Sequence, residues 1–262
     1  DRIQQAVYSL IPEQEKSILH LAIGRLLLKN LSDTGQETHL FDITNQWNLG
    51  WSLGSNQLLS QADQEQLAAL NLRAGRKAKQ ASAFRPAYQY LDTGISLLPE
   101  NHWQNHYAMS RDLYTQAAEV AYLNGDFELM NDKIDGVLGN AQNLRDKVVP
   151  YETRILAYKA QNQLMDAINT GLDLLSQLGE DFPRKATMAH VMVDLLKTKA
   201  QLRGKLRGKK IAQLADLPEM TEPRKIAAMR IIADIASSSY WATPALFPLL
   251  IFRMCKLSLR YG

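Results

Sequence analysis

Only one cysteine, Cys255, occurs in the 262 residues of this chain. A lone thiol excludes an internal disulfide framework and suits a reducing cytosol. Long apolar runs are missing as well. No stretch of roughly 18 apolar residues occurs, so no membrane span is expected. The nearest approach, 245–252, is short and holds Pro248. Strong charge of one sign is absent: 30 Lys+Arg against 27 Asp+Glu leave +3 and a pI near 8.8. That surplus is too small to argue for nucleic acid by itself. No basic-then-apolar leader opens the chain, which begins on Asp1 rather than Met, so a piece of a longer protein is expected. Alternating strand-like segments, a Gly-x-Ser-x-Gly elbow, a Cys-x-x-Cys pair and a dinucleotide-binding fingerprint are also lacking.

What is present is the helical period, nearly everywhere. Hydrophobic residues make up 46% of the chain, enough to bury one large domain or a continuous stack of helices. Ile18, Leu21, Ala22 and Leu26 trace one apolar face; Met188, Val191, Met192, Leu195 and Leu196 trace another. Pro12, Pro99, Pro150, Pro183, Pro218, Pro223 and Pro244 fall where the pattern breaks, and proline suits a first helical turn or ends a helix. Helices are expected near 1–10, 13–30, 38–49, 56–81, 83–98, 103–124, 126–144, 150–161, 164–178, 186–206, 208–216, 223–241 and 244–260. Gly50 reads as a cap after the helix holding Leu40, Ile43 and Trp47. Trp47, Trp51, Trp103 and Trp241 read as core or helix-junction packing.

The stretch 68–101 fits the tetratricopeptide-like helix–turn–helix template. Gly75, Ala87 and Gly94 fall where two helices cross closely, and Pro99 closes the unit. Asn124-Gly125-Asp126 is the sharpest turn. Gly125 can take the left-handed conformation that closes one helix, and Asp126 can cap the next. Met130 stands where a small residue is preferred, so this second unit is degenerate. A third unit, near 148–180, has Tyr158, Ala167 and Gly179 in place, with Asn162 at its turn. The units are spaced by 43 and then 37 residues, which predicts an uneven stack. The segment 226–240 is apolar on most sides and should lie between other helices. The last helix, ending at Tyr261-Gly262, suggests that the repeats continue, with Leu249, Ile251 and Phe252 leaving an uncovered face.

Candidate chemistry is thin. His102 and His106 are i, i+4, but Trp103 stands where a zinc protease has glutamate, and no third ligand is evident. Gly204-Lys-Leu-Arg-Gly-Lys-Lys210 has three residues between its glycines instead of four, no Ser/Thr after the lysine and no strand before it. It is not a phosphate loop, although Arg203, Lys205, Arg207, Lys209 and Lys210 form a basic patch that an anionic partner could use. Arg73, Arg76, Lys77 and Lys79 form either a solvated outer face or a groove for an acidic peptide. Asp126-Phe-Glu128 lacks the glycine of the kinase magnesium triad, and Asp132 and Asp135 read as surface acids. No catalytic, cofactor-binding or metal-binding residue is assigned, and no cofactor is expected.

Five stretches together carry a resemblance. They are Asp1-Arg-Ile-Gln-Gln-Ala-Val-Tyr8, His20-Leu-Ala-Ile-Gly-Arg-Leu-Leu-Leu28, Leu40-Phe-Asp-Ile-Thr-Asn-Gln-Trp-Asn-Leu-Gly50, Leu70-Asn-Leu-Arg-Ala-Gly-Arg-Lys-Ala-Lys79 and Tyr122-Leu-Asn-Gly-Asp-Phe127. They resemble the tetratricopeptide-like helical region of large bacterial, notably cyanobacterial, hybrid serine/threonine and histidine kinases. In that family a serine/threonine kinase domain precedes a signal-transducing AAA-type ATPase module. The helical repeats follow, then a GAF sensor domain and a histidine kinase. The resemblance implies that residues 1–36 link to the upstream ATPase module and that 37–262 are repeats. It also implies that the family's catalytic motifs lie in other domains, and that His20 is not the phospho-acceptor.

The expectation is therefore an all-α fold, an irregular right-handed α-solenoid of antiparallel helix pairs. Its role would be non-catalytic and regulatory or scaffolding, within a cytoplasmic signal-transduction kinase. The partner would be protein: the adjacent ATPase or kinase domain, or an external protein. No membrane partner is expected. The rival readings are nucleic-acid or anionic-partner binding through the basic clusters, and a helical enzyme whose site is assembled from distant residues.

Overall fold

A computed structural model describes residues 8–53, 59–206 and 218–262. The fold is all-α: thirteen helices and no strand occur among these residues. They are α1 (Glu13–Asn30), α2 (Asp33–Thr38), α3 (Leu40–Leu53), α4 (Gln61–Gln80), α5 (Phe84–Ser96), α6 (His102–Asn105), α7 (Tyr107–Leu123), α8 (Phe127–Asn140), α9 (Leu144–Ala160), α10 (Leu164–Gln177), α11 (Met188–Leu206), α12 (Pro223–Ala242) and α13 (Leu246–Tyr261). None of them is long and apolar enough to cross a membrane. The chain divides into two compact units, Asp1–Gly136 and Val137–Gly262. The expected helix at 208–216, and most of the one at 1–10, lie outside the described residues.

In the first unit, α1 lies along α3 because both present small residues at the crossing. A β-carbon at Gly24 would run into the Trp47 ring, and one at Gly50 would lie 2.5 Å from Leu21 Cγ. Ser17 Oγ, buried in the same seam, donates to the Gly50 carbonyl at 2.6 Å. Gly50 is thus no cap: it sits inside α3, and its lack of a side chain serves helix approach instead of helix termination. The same seam overturns the apolar face expected on α1. Leu21 is buried, but Ile18 and Leu26 are 57% and 58% exposed. Close approach needs small side chains, so the face with Ser17 and Gly24 turned inward and the larger aliphatics turned out.

The crossings expected around the first repeat are present. A β-carbon at Gly75 would sit 2.6 Å from Leu91 Cγ, and one at Gly94 would sit 2.7 Å from Leu113 Cδ2. Ala87, Leu91, Leu113, Ala117 and Val120 form the core there. Helix α4 begins earlier than the template does, at a capping box of Ser60 and Asp63. A polar pair fixes its register against α3. The side-chain amides of Asn48 and Asn71 exchange two hydrogen bonds, at 2.9 and 2.8 Å, and Asn71 also donates to the Leu67 carbonyl.

Three hairpin turns share one construction. Ser82, Gly125 and Asn162 have φ of 58°, 78° and 58°. In each, the next residue's N–H reaches back to close the preceding helix: Ala83 to Ala78, Asp126 to Ala121 and Gln163 to Tyr158. Asp126 then caps α8, its carboxylate accepting from the Leu129 N–H at 3.2 Å. Met130 is fully buried in α8, a large side chain at the degenerate position.

The second unit packs α12 against α9, α10 and α13. Ile155, Ile168, Leu174, Leu175, Ile231, Ile232 and Ile235 make its core, so the middle of the apolar segment near 226–240 is enclosed as expected, while Ile226 and Tyr240 at its ends are exposed. Helix α9 starts at Leu144, before Pro150, after an Asn143 cap that accepts from the Asp146 N–H at 3.1 Å. Pro150 was expected to open the helix and instead lies inside it, buried. The cap and the burial of Val148 and Ile155 outweigh one missing backbone hydrogen bond. Other expectations fail on burial. Met188, Met192 and Leu196 point outward from α11, which is covered on the Val191 side. Leu249 is buried, not left open, and Trp241 is 76% exposed, not core.

One crossing in this unit is a testable joint. A β-carbon at Gly171 would lie 2.5 Å from Ile235 Cγ2. Isoleucine is stiff at χ1 and cannot swing that methyl aside. Gly171→Ala should therefore cost about 1–3 kcal/mol by overpacking, despite alanine's better helix propensity. Urea unfolding checks this; a stabilised variant would refute the close approach.

Candidate functional site

A basin of about 740 Å³ opens in the second unit, between the end of α10 and helices α11, α12 and α13. Its chemistry follows from where the chain turns. After α10, Gly179 takes φ of 83° and the Glu180 N–H bonds back to the Leu175 carbonyl. That turn carries Glu180 to a buried position beside α12 and α13. On α13, Arg253, Lys256 and Arg260 recur at helical spacing and share a face. Lys225 comes from the first turn of α12. Gln201, Gly204 and Lys205 come from the end of α11.

Among the described residues, five cations and one carboxylate line the basin. Lys225 Nζ donates to Glu180 Oε1 at 2.8 Å, and Arg253 donates to Oε2. Arg253 also donates to the Asp181 carbonyl and lies over the Phe182 ring. Lys256 pairs with Asp194 at 2.6 Å. Burial pushes the Glu180 carboxyl up, but the hydrogen bonds and charges of Lys225 and Arg253 prevail and hold it below its ordinary range. The Glu180 hydrogen bond correspondingly raises Lys225 against its partial burial. Arg260 lies over the Tyr261 ring at 5.2 Å, and Lys205 is exposed at the rim. Among the described residues, the lining includes no serine, threonine, cysteine or histidine. Such a lining is cationic and is balanced in part by Glu180.

The residues singled out in the sequence fall elsewhere or only partly here. Gly204 and Lys205 line the basin, and Arg203 is exposed nearby in the chain. Arg207, Lys209 and Lys210 lie outside the described residues. Glu180, Arg253, Lys256 and Arg260 were missed. The 253, 256, 260 spacing was the available signal, masked by the apolar neighbours of the last helix.

The cluster on α4 is not an open basic groove. Arg73 and Lys77 reach Glu37 at 2.7 and 3.7 Å, Arg76 reaches Asp112 at 2.9 Å, and Lys79 pairs with Glu119. The hydrogen bond from Arg73 holds the Glu37 carboxyl low. Exposed pairs of this kind add little stability, but they balance the charge that a nucleic-acid or acidic-peptide site would need.

His102 and His106 do not share a helical face. α6 ends at Asn105, so the helix expected over 103–124 is broken at His106. His102 Nδ1 meets Ser110 Oγ at 2.8 Å, and His106 Nε2 lies 3.4 Å from Glu65. Burial, then the neighbouring His106, lowers the His102 pKa. No cluster of metal-ligand type occurs among the described residues. Trp103 packs on Tyr107 and Tyr114 at this junction. Asp132 and Asp135 are exposed. His20 is buried, with Nδ1 2.6 Å from Gln46 Oε1 and Nε2 2.8 Å from the Tyr8 hydroxyl. Both ring nitrogens are engaged, which suits a packing role for this imidazole.

No family model matches the chain, and no solved structure resembles it significantly. Among curated proteins it is similar to Hybrid signal transduction histidine kinase G of Dictyostelium discoideum, 26% identical over 230 residues. The match takes in 78% of this chain and only 6% of that protein. The similarity is distant and associates the chain with a small part of a signalling histidine kinase.

Proposed function

We propose that the chain is a non-catalytic regulatory segment of a large cytoplasmic signal-transduction kinase. In this reading it is a tetratricopeptide-like array, an irregular right-handed solenoid of antiparallel helix pairs. Residues 1–36 connect it to an upstream AAA-type ATPase module. The array holds protein: the adjacent ATPase or kinase domain, or an external partner. One observation carries the reading. Three helix hairpins close at residues 82, 125 and 162 with the same left-handed turn and the same backward hydrogen bond. Helix pairs joined by such short turns are the units from which stacked repeats are built, and stacked repeats present extended surfaces to partners. The similarity to a histidine kinase supplies the signalling context.

Regulation requires that the array bind two states of its neighbour unequally. Excising residues 8–262 from the parent should therefore change its autophosphorylation rate, by about 5-fold or more at typical coupling energies. The flanking catalytic domains stay intact in that comparison. Phosphorylation kinetics with and without stimulus measure it. An unchanged rate in both conditions refutes the regulatory role. ATP hydrolysis by the isolated 262-residue chain above a blank refutes the non-catalytic one.

A further inference from the structure

We propose that the basin lined by Lys205, Lys225, Arg253, Lys256 and Arg260 binds a phosphate-bearing small molecule of about nucleotide size. The first argument is charge. Glu180 engages Lys225 and Arg253, and Asp194 engages Lys256. Lys205 and Arg260 face the same space with no carboxylate partner among the described residues. Cations gathered around one concavity repel one another, and an anion relieves that repulsion. The second argument is reach. Both side chains are exposed, so their stems are free to fold over a ligand. The Arg260 fork matches two phosphate oxygens, and the Lys205 ammonium adds a point charge.

Size is the third argument. A volume of about 740 Å³ falls within the usual range for small-molecule sites. Inorganic phosphate would leave most of it empty. Leu257 and Leu259 line the basin, and the Tyr261 ring lies 5.7 Å from Lys225 Nζ and 5.2 Å from the Arg260 guanidinium. These surfaces can take the less polar body of a ligand while the cations take its phosphates. The site is unrelated to a phosphate loop, which uses backbone N–H groups after a strand. It also stands apart from the regulatory reading, since autophosphorylation and anion binding are measured separately.

Calorimetric titration of the 262-residue chain at low salt tests the proposal. The probes are ATP, inositol hexakisphosphate and inorganic pyrophosphate. ATP or inositol hexakisphosphate should bind more tightly than pyrophosphate, and the tighter of the two assigns the source of the phosphates. Lys205→Glu with Arg260→Glu should weaken that binding by about 10-fold or more, as expected for losing charge-assisted hydrogen bonds. Lys29→Glu with Arg85→Glu alters net charge equally at exposed positions in the first unit, and should change affinity by less than about 2-fold. Circular dichroism confirms that both variants keep their helices. No heat with any probe overturns the site, as does equal loss in the two variants. Pyrophosphate binding as tightly as ATP overturns the size argument.

Discussion

Trp47→Ala should destabilise the chain by about 3–5 kcal/mol, the usual cost of emptying a large aromatic site. Trp47 is 1% exposed and is among the largest fully buried side chains. Its ring fills the seam left by Gly24, and Leu21, Leu59, Leu67 and Leu97 complete the cluster. The seam cannot collapse easily, because the helices already touch at Gly50 and Leu21. Its indole N–H is buried without a hydrogen-bond partner. Trp47→Phe therefore gives up area but no hydrogen bond, and should cost clearly less than alanine. Urea denaturation followed by helical circular dichroism separates the three proteins. A loss below about 1 kcal/mol for alanine would place the ring outside the core.

Glu180→Ala should cost about 3 kcal/mol, the low end for removing one member of a buried ion pair. The side chains of Glu180, Lys225 and Arg253 are 7%, 15% and 26% exposed, so two cations would lose their shared counter-ion while mostly out of water. Arg253 keeps a solvent path, which is why the upper end is not expected. The pH dependence has a definite sign. The folded carboxyl titrates below its ordinary value of 4.5. Its contribution is therefore complete above that pH and is lost as pH falls through the folded pKa. The stability gap between wild type and Glu180→Ala should narrow on acidification below about pH 4.5. Denaturation at neutral pH and at successively lower pH measures the gap; a gap that widens on acidification contradicts the pairing.

Features set by neighbours in the chain were legible in advance. Gly125 and Asn162 announced their turns through residue type, because glycine and asparagine tolerate positive φ. A break between helices was expected at 82, but nothing in serine signalled the left-handed backbone that Ser82 takes. Gly75 and Gly94 were readable as crossings from template spacing alone. Gly24 and Gly50, before the first unit, and Gly171, inside the third, perform the same task and were not recognised as crossings.

Faces and partners were less legible. An apolar stripe on one helix names a hydrophobic side, yet α1 turned Ile18 and Leu26 outward because α3 could approach only across Ser17 and Gly24. The α4 cations looked available because their acids sit on other helices, Glu37, Asp112 and Glu119. Helical period, capping residues and left-handed turns are local, so the amino-acid sequence by itself determined an all-α chain of hairpins. Glu180 meets Lys225 and Arg253 across 45 and 73 residues, on two other helices. Only tertiary packing could decide that encounter, and with it the basin, because through-space charge pairing depends on which helix faces which, and the 253, 256, 260 spacing on one helix does not name the carboxylate it meets.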